Sequence, residues 1–291
     1  MRTTSSWLLL LDWSHWTCAR RAYPPLPISD CTMIRKTFLI LDGIRESTEQ
    51  RIWHQGISDW NDFLVAKEVK GIAATRKLYY DRQLLKARAA LFFNNSPYFM
   101  DKLPAAECWR LYRFFREEAV FLDIESTGIE TGDAITVVGL FDGISAMTMI
   151  RGINFDAQAL REELKKYKLL ITFNGASFDL PYIKRRYPDV LPNVPHLDLK
   201  HACAKLGIAG GLKLIEQELC IMRANPLVEK LRGGDPAALW RMFRATGDEH
   251  YLRMLVEYNA EDVMNLQPIA DIIYKRLEER CYSTKPLASC T

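Results

Sequence analysis

The stretch Val120-Phe121-Leu122-Asp123-Ile124-Glu125-Ser126-Thr127-Gly128 decides the fold. Val120, Leu122 and Ile124 alternate with Phe121, Asp123 and Glu125, the two-residue period of a β-strand, and Ser126-Thr127-Gly128 makes a tight polar exit. Residues two apart on a strand leave the same face, roughly 7 Å apart along it. Asp123 and Glu125 therefore crowd together at the end of an apolar strand. Two such carboxylates repel each other unless a hard cation sits between them, and Mg²⁺ and Mn²⁺ take oxygen ligands of this kind. An isolated Asp-x-Glu is usually exposed surface charge; the apolar strand around this one raises the functional reading.

Downstream, Ile135 to Phe141 and Ala146 to Ile150 read as strands joined by the hairpin signal Asp142-Gly143. An amphipathic helix is expected from Asp156 to Tyr167, then a fully apolar strand from Leu169 to Phe173. Helices follow over Leu180–Tyr187, Asp198–Leu206, Leu212–Leu219, Pro236–Ala245 and Glu249–Glu279, with Pro268 expected to kink or split the last. Three successive strands, then helix and strand in alternation, predict an α/β fold: a mixed sheet flanked by helices over residues 117–279.

Upstream, residues 33–116 read as a small all-helical region. Ser47 or Thr48 is expected to cap a first helix and Ser58 to open a second. Longer helices are expected over Ala73–Phe92 and Pro104–Phe115, with Pro104 suited to a first turn. Leu41-Asp42-Gly43-Ile44, Thr48-Glu49, Gly56-Ile57 and Trp60 faintly resemble a helix-hairpin-helix element, which would offer backbone N–H groups to a phosphate. Arg45 stands where its second glycine belongs, and a helical cap serving packing alone is as good a reading. Residues 1–32 hold three of the seven tryptophans and no periodicity. They are expected to be a disordered leader or a mis-assigned start, with Met33 as the natural one, and residues 280–291 a frayed tail.

At 291 residues the chain suits about two domains, and its 48% hydrophobic and 26% charged residues suit a soluble globular protein. A disordered chain, a collagen-like repeat and a disulfide miniprotein are excluded. The apolar run Trp7 to Leu11 is too short for a membrane span or a secretory signal, so a cytoplasmic protein without a membrane partner is expected. Seven scattered cysteines form no CxxC pair, which argues against a zinc knuckle or a disulfide framework. Residues 33–116 carry 15 Lys/Arg against 9 Asp/Glu, whereas residues 117–279 carry 19 against 25. Such a pairing suits a basic part that attracts a polyanion beside an acidic part that gathers carboxylates for a cation. The basic stretch Lys67 to Arg88, with Lys70, Arg76 and Lys77, is expected to supply affinity for phosphates.

Further residues carry chemistry. Asp179 follows Phe173-Asn174-Gly175-Ala176-Ser177-Phe178 directly after a strand, where it can cap the next helix and also serve as a ligand. Tyr258 and Asp262 are four apart and share a helix face. Taken singly they read as a core aromatic and a solvated charge. Asp198 is expected to cap the following helix rather than join a site. His196, His201 and His250 have no metal-ligand spacing, and Lys184-Arg185-Arg186 is either a phosphate contact or a solvated face.

The order Asp-x-Glu on a first strand, Asn-x-x-x-Phe-Asp after a later one and Tyr-x-x-x-Asp on a late helix resembles the three motifs of DnaQ-like 3′–5′ exonucleases. It is the tyrosine-bearing subclass of a ribonuclease H-like fold. Phe121 to Gly128, Thr172 to Pro181, His196-Leu197-Asp198 and Tyr258 to Asp262 resemble the YprB-type ribonuclease H-like family most closely. The second segment, continued by Tyr182-Ile183, is also similar to the matching motif of B-family polymerase proofreading domains. Ser126, where threonine is commoner, is a small departure. The resemblance implies that Asp123, Glu125 and Asp262 hold one Mg²⁺ or Mn²⁺, and that Asp123 and water, supported by Asp179, hold a second. It implies a water-orienting role for Tyr258 and nucleic-acid contacts for Thr127, Asn174, Phe178, Lys184 and Arg185. The function implied is hydrolysis of phosphodiester bonds at nucleic-acid 3′ ends, single-stranded DNA ahead of RNA. A structure-specific endonuclease of the same fold and a noncatalytic nucleic-acid-binding module are the alternatives.

Overall fold

The computed structural model describes residues 32–128, 134–223 and 236–283. The readings of the leader before Thr32 and of the chain end after Ser283 lie outside these.

The centre is a five-stranded sheet. Strand β1 (Ala119–Ser126) is flanked on one side by β2 (Ile135–Phe141) and then β3 (Ala146–Ile150), and on the other by β4 (Leu169–Thr172) and then β5 (His196–Asp198). The pairs β1–β2 and β2–β3 are antiparallel, and β1–β4 and β4–β5 are parallel. The sheet is thus mixed, as the strand pattern predicts. Every residue of β2 is buried, which is why its Ile-Thr-Val-Val-Gly-Leu-Phe lacks polar alternation. At the β2–β3 turn the Asp142 carboxylate accepts from the N–H groups of Ile144 and Ser145 while Gly143 adopts φ +94°.

The helices are α1 (Met33–Lys36), α2 (Glu46–Trp53), α3 (Trp60–Val65), α4 (Ala74–Phe92), α5 (Tyr112–Phe115), α6 (Ala157–Leu164), α7 (Asp179–Arg186), α8 (Leu199–Lys205), α9 (Leu212–Glu218), α10 (Pro236–Thr246) and α11 (Glu249–Ser283). Val120, Leu122 and Ile124 face one side of the sheet and pack with Leu160 and Leu164 of α6 and Tyr182 and Ile183 of α7. Phe121, Phe141, Leu169 and Ile171 face the other side. There they share one continuous core with Val263, Leu266 and Ile269 of α11 and with Phe38, Trp60, Leu84 and Tyr112 of the helical region. That region also grips the far end of α11: the Met33 N–H donates to Tyr274 at 3.1 Å, and Tyr112 and Arg116 donate to Asp271. Arg110, 3% exposed, bridges Glu49 and Glu107, and Lys205 of α8 completes the buried network.

Several local expectations are corrected. Helix α2 begins at Glu46 after Arg45 and has no side-chain cap, so neither Ser47 nor Thr48 opens it. Asp59, not Ser58, starts α3, its carboxylate accepting from the N–H groups of Asn61 and Asp62. The segment after Pro104 is a 3₁₀ helix over Ala105–Leu111, and only α5 beyond it is α-helical. Pro268 does not split the last helix: it lies inside α11, which continues past the expected end at Glu279 to Ser283. Long apolar contacts along α11 outweigh the one backbone bond that a proline removes. No helix among the described residues is long and apolar enough to cross a membrane.

Candidate active site

The end of β1 is bare on one edge. Its parallel pairing with β4 stops at Phe121, and the next N–H on that edge, Ile124, has no strand partner. The Asp179 carboxylate accepts it at 3.1 Å. Asp179 is the first residue of α7, and Phe178 is its N-cap, so the side chain ties the helix to the strand instead of capping it. This replaces the helix-cap reading and sets a fourth acid beside Asp123 and Glu125.

The structure brings Asp123, Glu125 and Asp262 together. One carboxylate oxygen of each lies within 4.8 Å of the others. Asp179 stands just outside this trio, close enough for its charge to act on Asp123. Burial, and then the charges of Glu125, Asp179 and Asp262, push the Asp123 carboxyl well above the usual range. Burial also pushes Asp179 up to about 7 and Asp262 up to about 6, the latter against the pull of Arg223. Hard oxygen donors crowded at this cost fit a divalent cation, whose charge would offset their repulsion.

The helix face carrying Asp262 contributes more than that acid. Tyr258, one turn earlier, is half-buried between two cations, with Lys213 Nζ 4.6 Å and the Arg223 guanidinium 5.6 Å from its ring centre. Burial and the neighbouring acids Asp262 and Glu125 raise its phenol, which therefore stays protonated. Asn259 donates to Asp123 Oδ2 at 2.8 Å. Arg223, its side chain 5% exposed, binds both oxygens of Glu216 at 3.0 Å and also donates to Asp262. Its Nη1 is buried with no hydrogen-bond partner among the described residues.

The expected nucleic-acid contacts fall around this centre in different ways. Thr127 closes the chain after β1: its N–H donates to the Ala134 carbonyl, and its hydroxyl accepts from the Ala134 N–H. Asn174 adopts φ +62° and accepts from Lys200 through its side chain. Phe178 stacks on Tyr182 with ring centres 5.8 Å apart. Lys184 and Arg185 are exposed on the last turn of α7, with Arg185 over the Tyr182 ring. Asp198 does cap α8 through the Lys200 N–H, as expected, and also accepts from the N–H groups of Asn174 and Ala176. It fixes the loop that delivers Asp179.

Asn259, Lys213 and Arg223 are missing from the sequence reading. A glycine in the middle of β2 is the signal that points to Asn259, because strand glycines mark close approaches. Gly139 pairs with Asp123, and a Cβ on it would lie 2.2 Å from Asn259 Oδ1. Nothing local distinguishes Lys213 or Arg223.

The model of the RNase_H superfamily matches residues 120–274. No curated protein and no solved structure gave a significant match. The matched span runs from β1 into α11 and holds all four acids, and this domain with its acidic cluster fits a nuclease.

Proposed function

The chain belongs to the RNase_H superfamily, and from that premise we propose that it is a divalent-cation-dependent 3′–5′ exonuclease that shortens single-stranded nucleic acid, DNA ahead of RNA. The observation that carries the reading is the convergence of Asp123, Glu125 and Asp262 within 4.8 Å, with Asp179 beside them. Polarity and the finer DnaQ-like, YprB-type assignment rest on the order of the three motifs.

Asp123, Glu125 and Asp262 would hold one Mg²⁺ or Mn²⁺, and Asp123 with Asp179 would hold a second. The chemistry that bound divalent ions would supply there is a lowered pKa for water and an offset to the charge gathering on the phosphate. The chain's own groups do the rest. Asn259 fixes the rotamer of Asp123, and the Ile124 N–H fixes Asp179. The protonated phenol of Tyr258 can hold the attacking water by a hydrogen bond. Lys213 and Arg223 bring positive charge to a site that four carboxylates would otherwise close to a phosphate, and Arg223 Nη1 is a donor ready for one. Asn174, Phe178, Lys184, Arg185 and Thr127 are proposed to guide the strand end.

Digestion of strands labelled at the 5′ end, in DNA and RNA and with and without Mn²⁺, tests the reading. A ladder shortening by single nucleotides is expected. Internal cuts would make the protein an endonuclease, and a retarded but intact band would leave it a binding module.

A further inference from the structure

Helix α4 buries one face and leaves the other bare. Tyr80, Leu84, Ala87 and Leu91 are in the core, whereas Leu78, Leu85 and Phe92, spaced by seven, are 62%, 53% and 83% exposed. Phe93 is 75% exposed and meets Phe92 edge to face, ring centres 5.2 Å apart. A groove of about 470 Å³ runs beside them, with Arg35, Trp60 and Arg88 in its walls.

The charge of this face has one sign. Arg82, Lys86 and Arg88 are exposed and make no ion pair among the described residues. The acids nearby are spent: Asp81 is paired with Lys77 at 2.9 Å, Asp59 caps α3, and Asp62 accepts from the Ser58 N–H. Of the cations singled out in the basic stretch, Lys70 is exposed, but two are spent. Lys77 is buried against Asp81, and Arg76 donates to the Asp42 carbonyl and stacks on Tyr79 and Tyr80.

We propose that the exposed face of α4, ending in Phe92 and Phe93, is a second binding surface for single-stranded nucleic acid, taking the strand upstream of the end presented to the carboxylates. The occupant follows from chemistry. A polyanion answers unpaired cations, and flat apolar bases answer exposed aromatic rings. A second copy of this face would set like charges against each other. The chain before Thr32 has three Arg against two Asp, again of the same sign. The separation is short: the next residue, Asn94, bonds Glu118, and the strand from there to Asp123 spans about 15 Å.

The inference rests on the nuclease reading, so its test separates the two. Full-length protein and the double variant Phe92→Ala/Phe93→Ala are compared on a labelled oligothymidylate of about 20 nucleotides, longer than the roughly 4–16 that a stacking surface occupies. A strand of about 3 nucleotides, too short to span both places, is the internal control. The double variant should bind the long strand about tenfold or more weakly, with the loss in KM rather than kcat. Lys86→Gln/Arg88→Gln should flatten the dependence of log Kd on log salt by about one per lost phosphate contact. Equal affinity of wild type and both variants for the long strand, at equal Tm, would overturn the surface while leaving the nuclease reading intact. An acidic amphipathic peptide that competes for α4 where the oligonucleotide does not would reassign it to a protein partner. Binding through α4 without cleavage would overturn the nuclease reading alone.

Discussion

Asn259 donates to Asp123 Oδ2 at 2.8 Å from a position it can occupy only because Gly139, the residue paired with Asp123 across the sheet, has no side chain. The strand partner of the first metal-ligand candidate is thereby the residue that admits its support. Gly139→Ala is expected to push Asn259 off Asp123, lowering stability by about 1–3 kcal/mol and activity with it. Asn259→Ala in the Gly139→Ala background should restore much of the stability but not the rate. Urea unfolding and single-turnover cleavage of the four proteins check this, and additive losses would show that the two residues are not coupled.

Asp123→Asn should abolish hydrolysis and raise the Tm of metal-free protein by a few degrees. The carboxylate sits among three other acids that push its pKa well up, and a neutral isostere relieves that repulsion while keeping the shape. Calorimetry in chelator and Mn²⁺ titration check the two halves. Retained turnover would sink the carboxylate trio as the catalytic centre.

Tyr258→Phe keeps the ring between Lys213 and Arg223 and removes only the hydroxyl. If the phenol positions water, kcat should fall by about 100-fold, roughly 2.7 kcal/mol of barrier, with Mn²⁺ affinity near wild type. A rate within about twofold of wild type at saturating Mn²⁺ would assign the residue to packing.

His196 on β5 lies 2.8 Å from the Thr172 hydroxyl, and burial drives its pKa down to about 4, with Asp198 pulling the other way. Unfolded histidine titrates near 6.5, so between these values the unfolded chain binds a proton that the folded one does not. Stability should therefore fall as pH drops from about 6.5 through 4, by about 3 kcal/mol from this residue. The urea midpoint followed over that range should show a shallower fall in His196→Gln.

Strand β1 and the long helix α4 are legible because each is long enough to display its period, and β2 and β4 because they are apolar runs bounded by turn and helix signals. Strand β5 is not, since His196-Leu197-Asp198 is too short for alternation to register, and its pairing with β4 is set by tertiary contacts. The acids of the candidate site stand out in the sequence through a motif order that resembles a known family. Their supports stand out less: Arg223 follows α9 with no local pattern, and its partner Asp262 lies on another element. For Asp179 the sequence leaves a helix cap and a ligand open together, because it says nothing about which strand N–H is left without a partner.

Helix α11 runs unbroken for 35 residues, about 52 Å, and carries two attachments about 18 Å apart along its axis. Near its middle it presents Asp262 to the acids of β1, and towards its end Tyr274 receives the Met33 N–H. Each residue of an α-helix advances 1.5 Å and turns about 100°. A single insertion between Asp262 and Tyr274 would therefore rotate one attachment by a quarter turn against the other, while leaving both local sequences intact. The helix acts as a screw of fixed phase, and the angular setting of the face that carries Asp262 is written into the number of residues between them.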